Sequence, residues 1–119
     1  MTTTTRDVDG VTIVDIKGRI VLGEESAALR ALVADLVGKG QRKILLNFVD
    51  VNYMDSSGLG SLVSSLVRVR MYDGELKLLN LRERVHEIMQ VTKLNTVFEI
   101  MDDEAVAVNS FRQSAGETR

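Results

Sequence analysis

The chain has 119 residues, 45% hydrophobic and 27% charged, which is enough for one globular domain with a full core and too few for two. Its 15 Lys and Arg against 17 Asp and Glu give a net charge of −2, with no basic cluster among aromatics, so nucleic acid is excluded as an expected partner. Cysteine is absent, which removes disulfides, Cys-ligated metal and a thiol nucleophile and suits a reducing compartment.

The opening Met1 to Thr5 is short and polar, without the basic and apolar regions of a signal peptide, and no apolar run approaches the ~20 residues of a membrane span. A cytoplasmic location without membrane insertion is the expectation. Residues 1–119 are read as a single domain, with 1–5 and 114–119 as flexible ends. Asp9-Gly10 is a hairpin-type turn, Val11, Ile13, Val14 and Ile16 make the strand after it, and Arg6 to Val8 pairs weakly before it. Gly18 interrupts the pattern before Arg19-Ile20-Val21-Leu22, which marks a bend or bulge. Glu24-Glu25 then open a helix, whose stripe Ala28, Leu29, Leu32, Val33, Leu36 and Val37 runs until Gly38 and Gly40 stop it. Arg30, Asp35 and Lys39 form its solvated face.

Lys43 to Val49 is apolar almost throughout and too short for a typical helix, the pattern of a central strand covered on both faces. Next comes Tyr53-Met54-Asp55-Ser56-Ser57-Gly58-Leu59-Gly60, leading into a helix to about Met71 with Leu59, Leu62, Val63, Leu66 and Val67 at helical spacing. Asp73-Gly74 turns the chain into a second buried strand, Glu75 to Leu81. A third helix, about Arg82 to Lys93, buries Val85, Ile88, Met89 and Val91 or Leu94. A strand at Val97 to Ile100 and a last helix opened by Asp102-Asp103-Glu104 and running through Val106 to Phe111 complete the chain, with Ser114 to Arg119 as a frayed tail. The order β-β-α-β-α-β-α-β-α predicts an α/β domain with a mixed sheet of four or five strands, an N-terminal β-hairpin and about four helices. Its aliphatic core needs no proline or tryptophan, and neither occurs.

Sites in such sheets gather at the C-terminal ends of strands, where the Asp55-Ser56-Ser57 loop lies. At a helix N-terminus a Ser hydroxyl can serve as cap, and a phosphate on it meets backbone donors. Gly58 and Gly60 each cost about 1 kcal/mol relative to Ala in a helix. Two readings account for them equally well: tight packing of the helix on its own sheet, or a bare surface over which a partner closes. Outside the apolar stripe Ser61, Ser64, Ser65 and Arg68 form a small, nearly uncharged face able to admit a partner, whereas solvated faces usually carry mixed charge.

Catalytic patterns fail. The nucleophile elbow Gly-x-Ser-x-Gly fits neither Ser56 nor Ser57, and the single histidine, His86, sits on the third helix. A dinucleotide fingerprint from Gly58 has Val63 where the third glycine belongs. Glu24-Glu25 and Asp102-Asp103-Glu104 match helix starts rather than a metal site, so no metal and no cofactor is expected.

The segment Tyr53 to Gly60 resembles the signature loop of STAS domains, specifically bacterial anti-sigma factor antagonists. The likeness extends over the Val11 to Gly18 strand, the Gly18-Arg19-Ile20 bend, Ile44 to Asn47 and the later strand-helix order. It implies a non-enzymatic protein that binds an anti-sigma factor and so frees the sigma factor. That partner is also a serine kinase, for which ATP is a substrate; it phosphorylates the serine directly after the Asp, and a serine phosphatase resets the cycle. Carried over, Ser56 is the phosphoacceptor, and Asp55, Ser57, Gly58, Leu59, Gly60, Ser61, Ser64, Ser65 and Arg68 meet the partner. Some members carry an acidic residue after the bend, where this chain reads Val21-Leu22-Gly23-Glu24; Glu24 or Glu25 stands nearest. The alternative is a STAS adaptor in a signalling or transporter complex that binds without obligatory phosphorylation.

Overall fold

Turn chemistry sets the first pairing. Asp9 and Gly10 both take positive φ, 53° and 83°, the geometry of the two-residue turn that matches strand twist. It joins β1 (Thr2–Val8) to β2 (Val11–Ile20) in antiparallel register from Val8 opposite Val11 to Thr2 opposite Lys17. The ladder therefore takes in residues 2–5, expected above to be a flexible end. Their β-branched threonines favour an extended chain, and their polar, mostly exposed side chains suit an edge strand.

The computed structural model describes residues 1–117, with side chains to residue 111. After β2 come α1 (Glu24–Gly38), β3 (Lys43–Met54), α2 (Ser56–Met71), β4 (Glu75–Leu79), α3 (Glu83–Val91), a short 3-10 turn (Leu94–Thr96), β5 (Ile100–Met101) and α4 (Glu104–Glu117). The strands lie in sequence order, β1-β2-β3-β4-β5, and every pairing after the first is parallel. This is the mixed five-stranded α/β sheet with a leading hairpin that the sequence predicts. Helix α4 reaches Glu117, so residues 114–117, expected as part of a frayed tail, are helical; residues 118–119 of that expected tail lie outside the described residues.

Alternation along the strands splits the core in two. Val14, Ile16, Ile44, Leu46, Phe48 and Leu78 face one side, under Leu29 and Val33 of α1, Leu62 and Leu66 of α2, and Val85 and Met89 of α3. Val11, Ile13, Leu45 and Leu79 face the other side, under Ala107, Val108 and Phe111 of α4. On that side Lys77 is buried but fully satisfied. Its ammonium lies 2.7 Å from a Glu99 carboxylate oxygen, donates to Ser110 Oγ at 2.9 Å and stands 4.7 Å from the Phe111 ring centre. Arg6 of β1 bridges Asp15 of β2 and Glu104 at the start of α4, holding both carboxylates below their ordinary pKa.

Two elements differ from expectation. The strand placed at Val97 to Ile100 is reduced to Ile100–Met101, because the Phe98 amide is held by the Leu94 carbonyl in a helical turn that drops the Phe98 ring into the core. Helix α3 is shorter at both ends than 82–93. Val91, the last residue of α3, lies off the face that buries Val85 and Met89 and is 82% exposed; Lys93 then turns left-handed at φ 62°, and Leu94 packs on the core.

The parallel pair β2 and β3 is the longest part of the sheet. Register shifts flank Lys17 and Gly18, and Gly18 takes φ 111°, so the bend read at this glycine is a bulged stretch of one continuous strand. Beyond it Gly18, Arg19 and Ile20 pair with Val51, Tyr53 and Met54, past the last residue of β3 that pairs with β4, Asn47. This two-stranded extension carries residues 55–60 out from the sheet.

Candidate functional site

Asp55 follows the last residue of β3 and caps α2. Its backbone is extended at φ −97°, ψ −175°, and its Oδ1 accepts a hydrogen bond from the Gly58 amide at 2.9 Å. Its Oδ2 accepts from the Leu22 amide at 3.0 Å, which ties the β2–α1 loop to the helix start. The cap is therefore Asp55 and neither serine. The donors expected to await a phosphate are in part already engaged: Gly58 N–H by the Asp55 carboxylate and Leu59 N–H by the Asp55 carbonyl. Backbone hydrogen bonds, first from Gly58 and then from Leu22, hold the Asp55 carboxyl below its usual pKa.

That direction fixes a pH dependence. A lowered folded-state pKa means that the ionised carboxylate contributes stability at pH above the ordinary aspartate value of about 3.9, and that the contribution is lost as pH falls through the lower folded value. Asp55→Asn is expected to melt below the wild type at neutral pH, with the two curves converging in acid. Parallel melting curves from pH 7 to pH 2 count against this role.

Ser56 is the first residue of α2 and is exposed; Ser57 is half-buried, and its carbonyl accepts from Ser61 Oγ at 3.1 Å. The two glycines part company. A Cβ on Gly58 would overlap the Ile20 carbonyl oxygen and stand 2.7 Å from Met54 Cγ, so this glycine serves close packing on β2. A Cβ on Gly60 would meet nothing within 4 Å, so Gly60 is the bare one.

The small polar face of α2 needs correction. Ser64 and Arg68 point outward as expected, but Ser61 is fully buried and Ser65 is 2% exposed. Leu59, also assigned to partner contact, is buried with them. Helix α2 packs on both the sheet and α1, so its buried sector is wider than an apolar stripe and includes the serines that let α1 come close. Ser61 Oγ shares its one proton between the Ser57 and Ser26 carbonyls and accepts from Arg30, which is itself exposed, as expected of the solvated face of α1. Among the described residues Ser65 Oγ has no hydrogen-bond partner. Val67, read as core, is 52% exposed. The exposed residues of α2 are thus Ser56, Gly60, Ser64, Val67, Arg68, Arg70 and Met71.

Other residues around Ser56 come from distant parts of the chain. Leu22, 75% exposed, is held beside the helix start by Asp55. A groove of about 360 Å³ opens next to Ser56, walled on one side by Tyr53, Met54 and Asp55. Its other wall is α3, with Arg84, Glu87, Ile88 and Val91. Glu24 is exposed at the start of α1, and Glu25 is half-buried.

The STAS domain family model matches residues 2–107, which takes in every strand and the site. The chain belongs to the STAS domain family. Among its relatives, the anti-sigma-B factor antagonist of Bacillus subtilis is 37% identical over 87 residues, 73% of this chain and 72% of that protein. The crystal structure of a candidate anti-sigma factor antagonist from Thermotoga maritima superposes with a TM-score of 0.86 at 27% identity, covering 92% of this chain and 94% of the other. The Bacillus antagonist SpoIIAA in its phosphorylated form shares the STAS fold at a TM-score of 0.71 and 20% identity, covering 92% of this chain and 98% of its own.

Proposed function

We propose that this STAS protein is an anti-sigma factor antagonist switched at Ser56. In its unmodified form it binds an anti-sigma factor that is also a serine kinase, and the sigma factor is released. The kinase then transfers phosphate to Ser56 and binding ends until a serine phosphatase restores the hydroxyl. The observation that carries this reading is the exposed Ser56 hydroxyl on a helix start fixed by Asp55.

In the transfer, Ser56 Oγ attacks the γ-phosphorus of ATP, the bond to the β-phosphate oxygen breaks, and ADP leaves. The hydroxyl proton must go to a base. Asp55 is poorly suited, since its two carboxylate oxygens accept from the Gly58 and Leu22 amides and its pKa is lowered. The base and the ATP site therefore belong to the kinase, and this chain is substrate and ligand rather than enzyme. Resetting consumes water and releases inorganic phosphate.

The surface available to the partner is Ser56, Ser57, Gly60, Ser64 and Arg68, extended by Leu22 and Tyr53. Gly60 gives it a bare centre, and Leu22 and Tyr53 supply apolar contact area. Incubation with labelled ATP and the anti-sigma kinases of the same organism is expected to place one phosphate on Ser56, located by mass spectrometry. Ser57→Ala should be modified as wild type and Ser56→Ala not at all. Phosphate on Ser57 overturns the choice of acceptor, while stable binding to a partner with no modification favours the adaptor reading.

A further inference from the structure

A phosphate on Ser56 enters an unusual setting. It carries a charge of about −1.5 to −2 near neutral pH. The neighbouring Asp55 is ionised and takes the Gly58 amide for itself. The helix start is thus already partly neutralised by a carboxylate, and like charge faces like charge. Across the groove Glu87 is a second carboxylate. The one cation lining that groove is Arg84.

Arg84 is exposed on the first turn of α3, and it makes no hydrogen bond or ion pair among the described residues. Arg6 is committed to Asp15 and Glu104, Arg30 to Ser61, Arg42 to two carbonyls and Arg82 to the Val49 carbonyl; Arg19, Arg68 and Arg70 also make no side-chain hydrogen bond or ion pair among the described residues, but they do not line this groove. A planar guanidinium presents paired donors that match two phosphate oxygens.

We propose that Arg84 is the residue that receives the phosphate of phosphorylated Ser56, closing the groove between α2 and α3. This rests on Ser56 being the acceptor. Held so, the phosphoryl group is turned toward α3 and its charge is shared with Arg84, which lengthens the life of the modified state by competing with the phosphatase for the same oxygens. Glu87, three residues on and lining the same groove, opposes the contact.

The test installs phosphoserine at position 56 by genetic encoding or semisynthesis, so that it does not depend on any kinase, and follows the phosphorus resonance against pH. Charged or titratable groups lining the groove are Tyr53, Asp55, Arg84 and Glu87. An exposed ion pair of ordinary strength moves a titration midpoint by about 0.2–0.7 unit. Arg84→Gln is expected to raise the phosphate midpoint by that amount, Arg84→Lys to raise it less, and Glu87→Gln to lower it. The phosphatase should also clear phosphate faster from Arg84→Gln than from wild type. A midpoint unchanged in both Arg84→Gln and Arg84→Lys overturns the assignment. Failure of the kinase to modify Ser56 would instead count against the acceptor reading and leave the titration result standing.

Discussion

Gly58→Ala is expected to lower the melting temperature by about 8–12 °C, while Gly60→Ala leaves it unchanged or raises it. Both changes gain about 1 kcal/mol of helix propensity. At Gly58 the new methyl would overlap a backbone oxygen, that of Ile20, and lie 3.0 Å from its carbonyl carbon. A backbone carbonyl in the β2–β3 ladder cannot rotate aside, so either α2 shifts off the sheet or the end of β2 does. Overpacking of this kind costs typically 1–3 kcal/mol and sometimes more. With an unyielding neighbour a net loss of about 2–3 kcal/mol is the expectation, or about 8–12 °C for a domain of this size. At Gly60 the methyl enters open space, so the propensity gain has nothing to offset it. The same Gly60→Ala should weaken binding to the kinase, because the methyl intrudes on the bare part of the partner surface. Calorimetric melting of the two variants, with titration of each against the kinase, checks both halves. Equal melting temperatures sink the packing account.

The contrast shows what sequence can and cannot resolve. The glycine pair is legible as unusual, since two costs in one helical turn require an explanation, yet the close-packing reading holds for Gly58 alone, while Gly60 faces open space. Deciding between them takes the position of Ile20, more than thirty residues earlier in the chain. The hairpin, the buried strands at Ile44 and Leu78 and the strand-loop-helix at Asp55 were readable because alternation, aliphatic density and turn residues agree there. Ser61 and Ser65 were misplaced for a physical reason. Hydrophobic periodicity locates the face toward the sheet, but a second helix, α1, covers the adjacent sector, and contact there is made by small polar side chains that periodicity assigns to solvent. Thr2 to Thr5 went unread as strand because polarity masked β-branching. Arg84 has no signal in the sequence, and Leu22 stands there only as a departure after the bend, since each comes beside Ser56 or Asp55 only through the fold.

Phosphorylation of Ser56 is expected to weaken binding to the anti-sigma kinase by roughly two to three and a half orders of magnitude without rearranging the domain. Ser56 stands at the edge of a platform anchored from two directions: Asp55 binds the Gly58 amide within α2 and the Leu22 amide from the preceding loop. None of these contacts involves the Ser56 hydroxyl, so none need break when it is esterified. The phosphate has the open groove beside α3 to occupy. On the proposed reading the partner closes over Ser56, and the phosphate must then be buried or must hold the surfaces apart. Closing that interface takes the phosphate out of the groove and away from Arg84, and a buried charge left without its partner costs roughly 3–5 kcal/mol. At about 1.4 kcal/mol per decade this is the loss of affinity stated. Ser56→Asp, with one charge and a shorter reach, should lose less, and Ser56→Ala should bind yet resist switching. Amide spectra of the phosphorylated protein should differ from the unmodified form only near residues 53–60, Leu22 and the α3 wall of the groove. Comparable affinities of the two forms for the kinase, or displaced sheet and helix resonances far from Ser56, would show that the switch does not act through local charge.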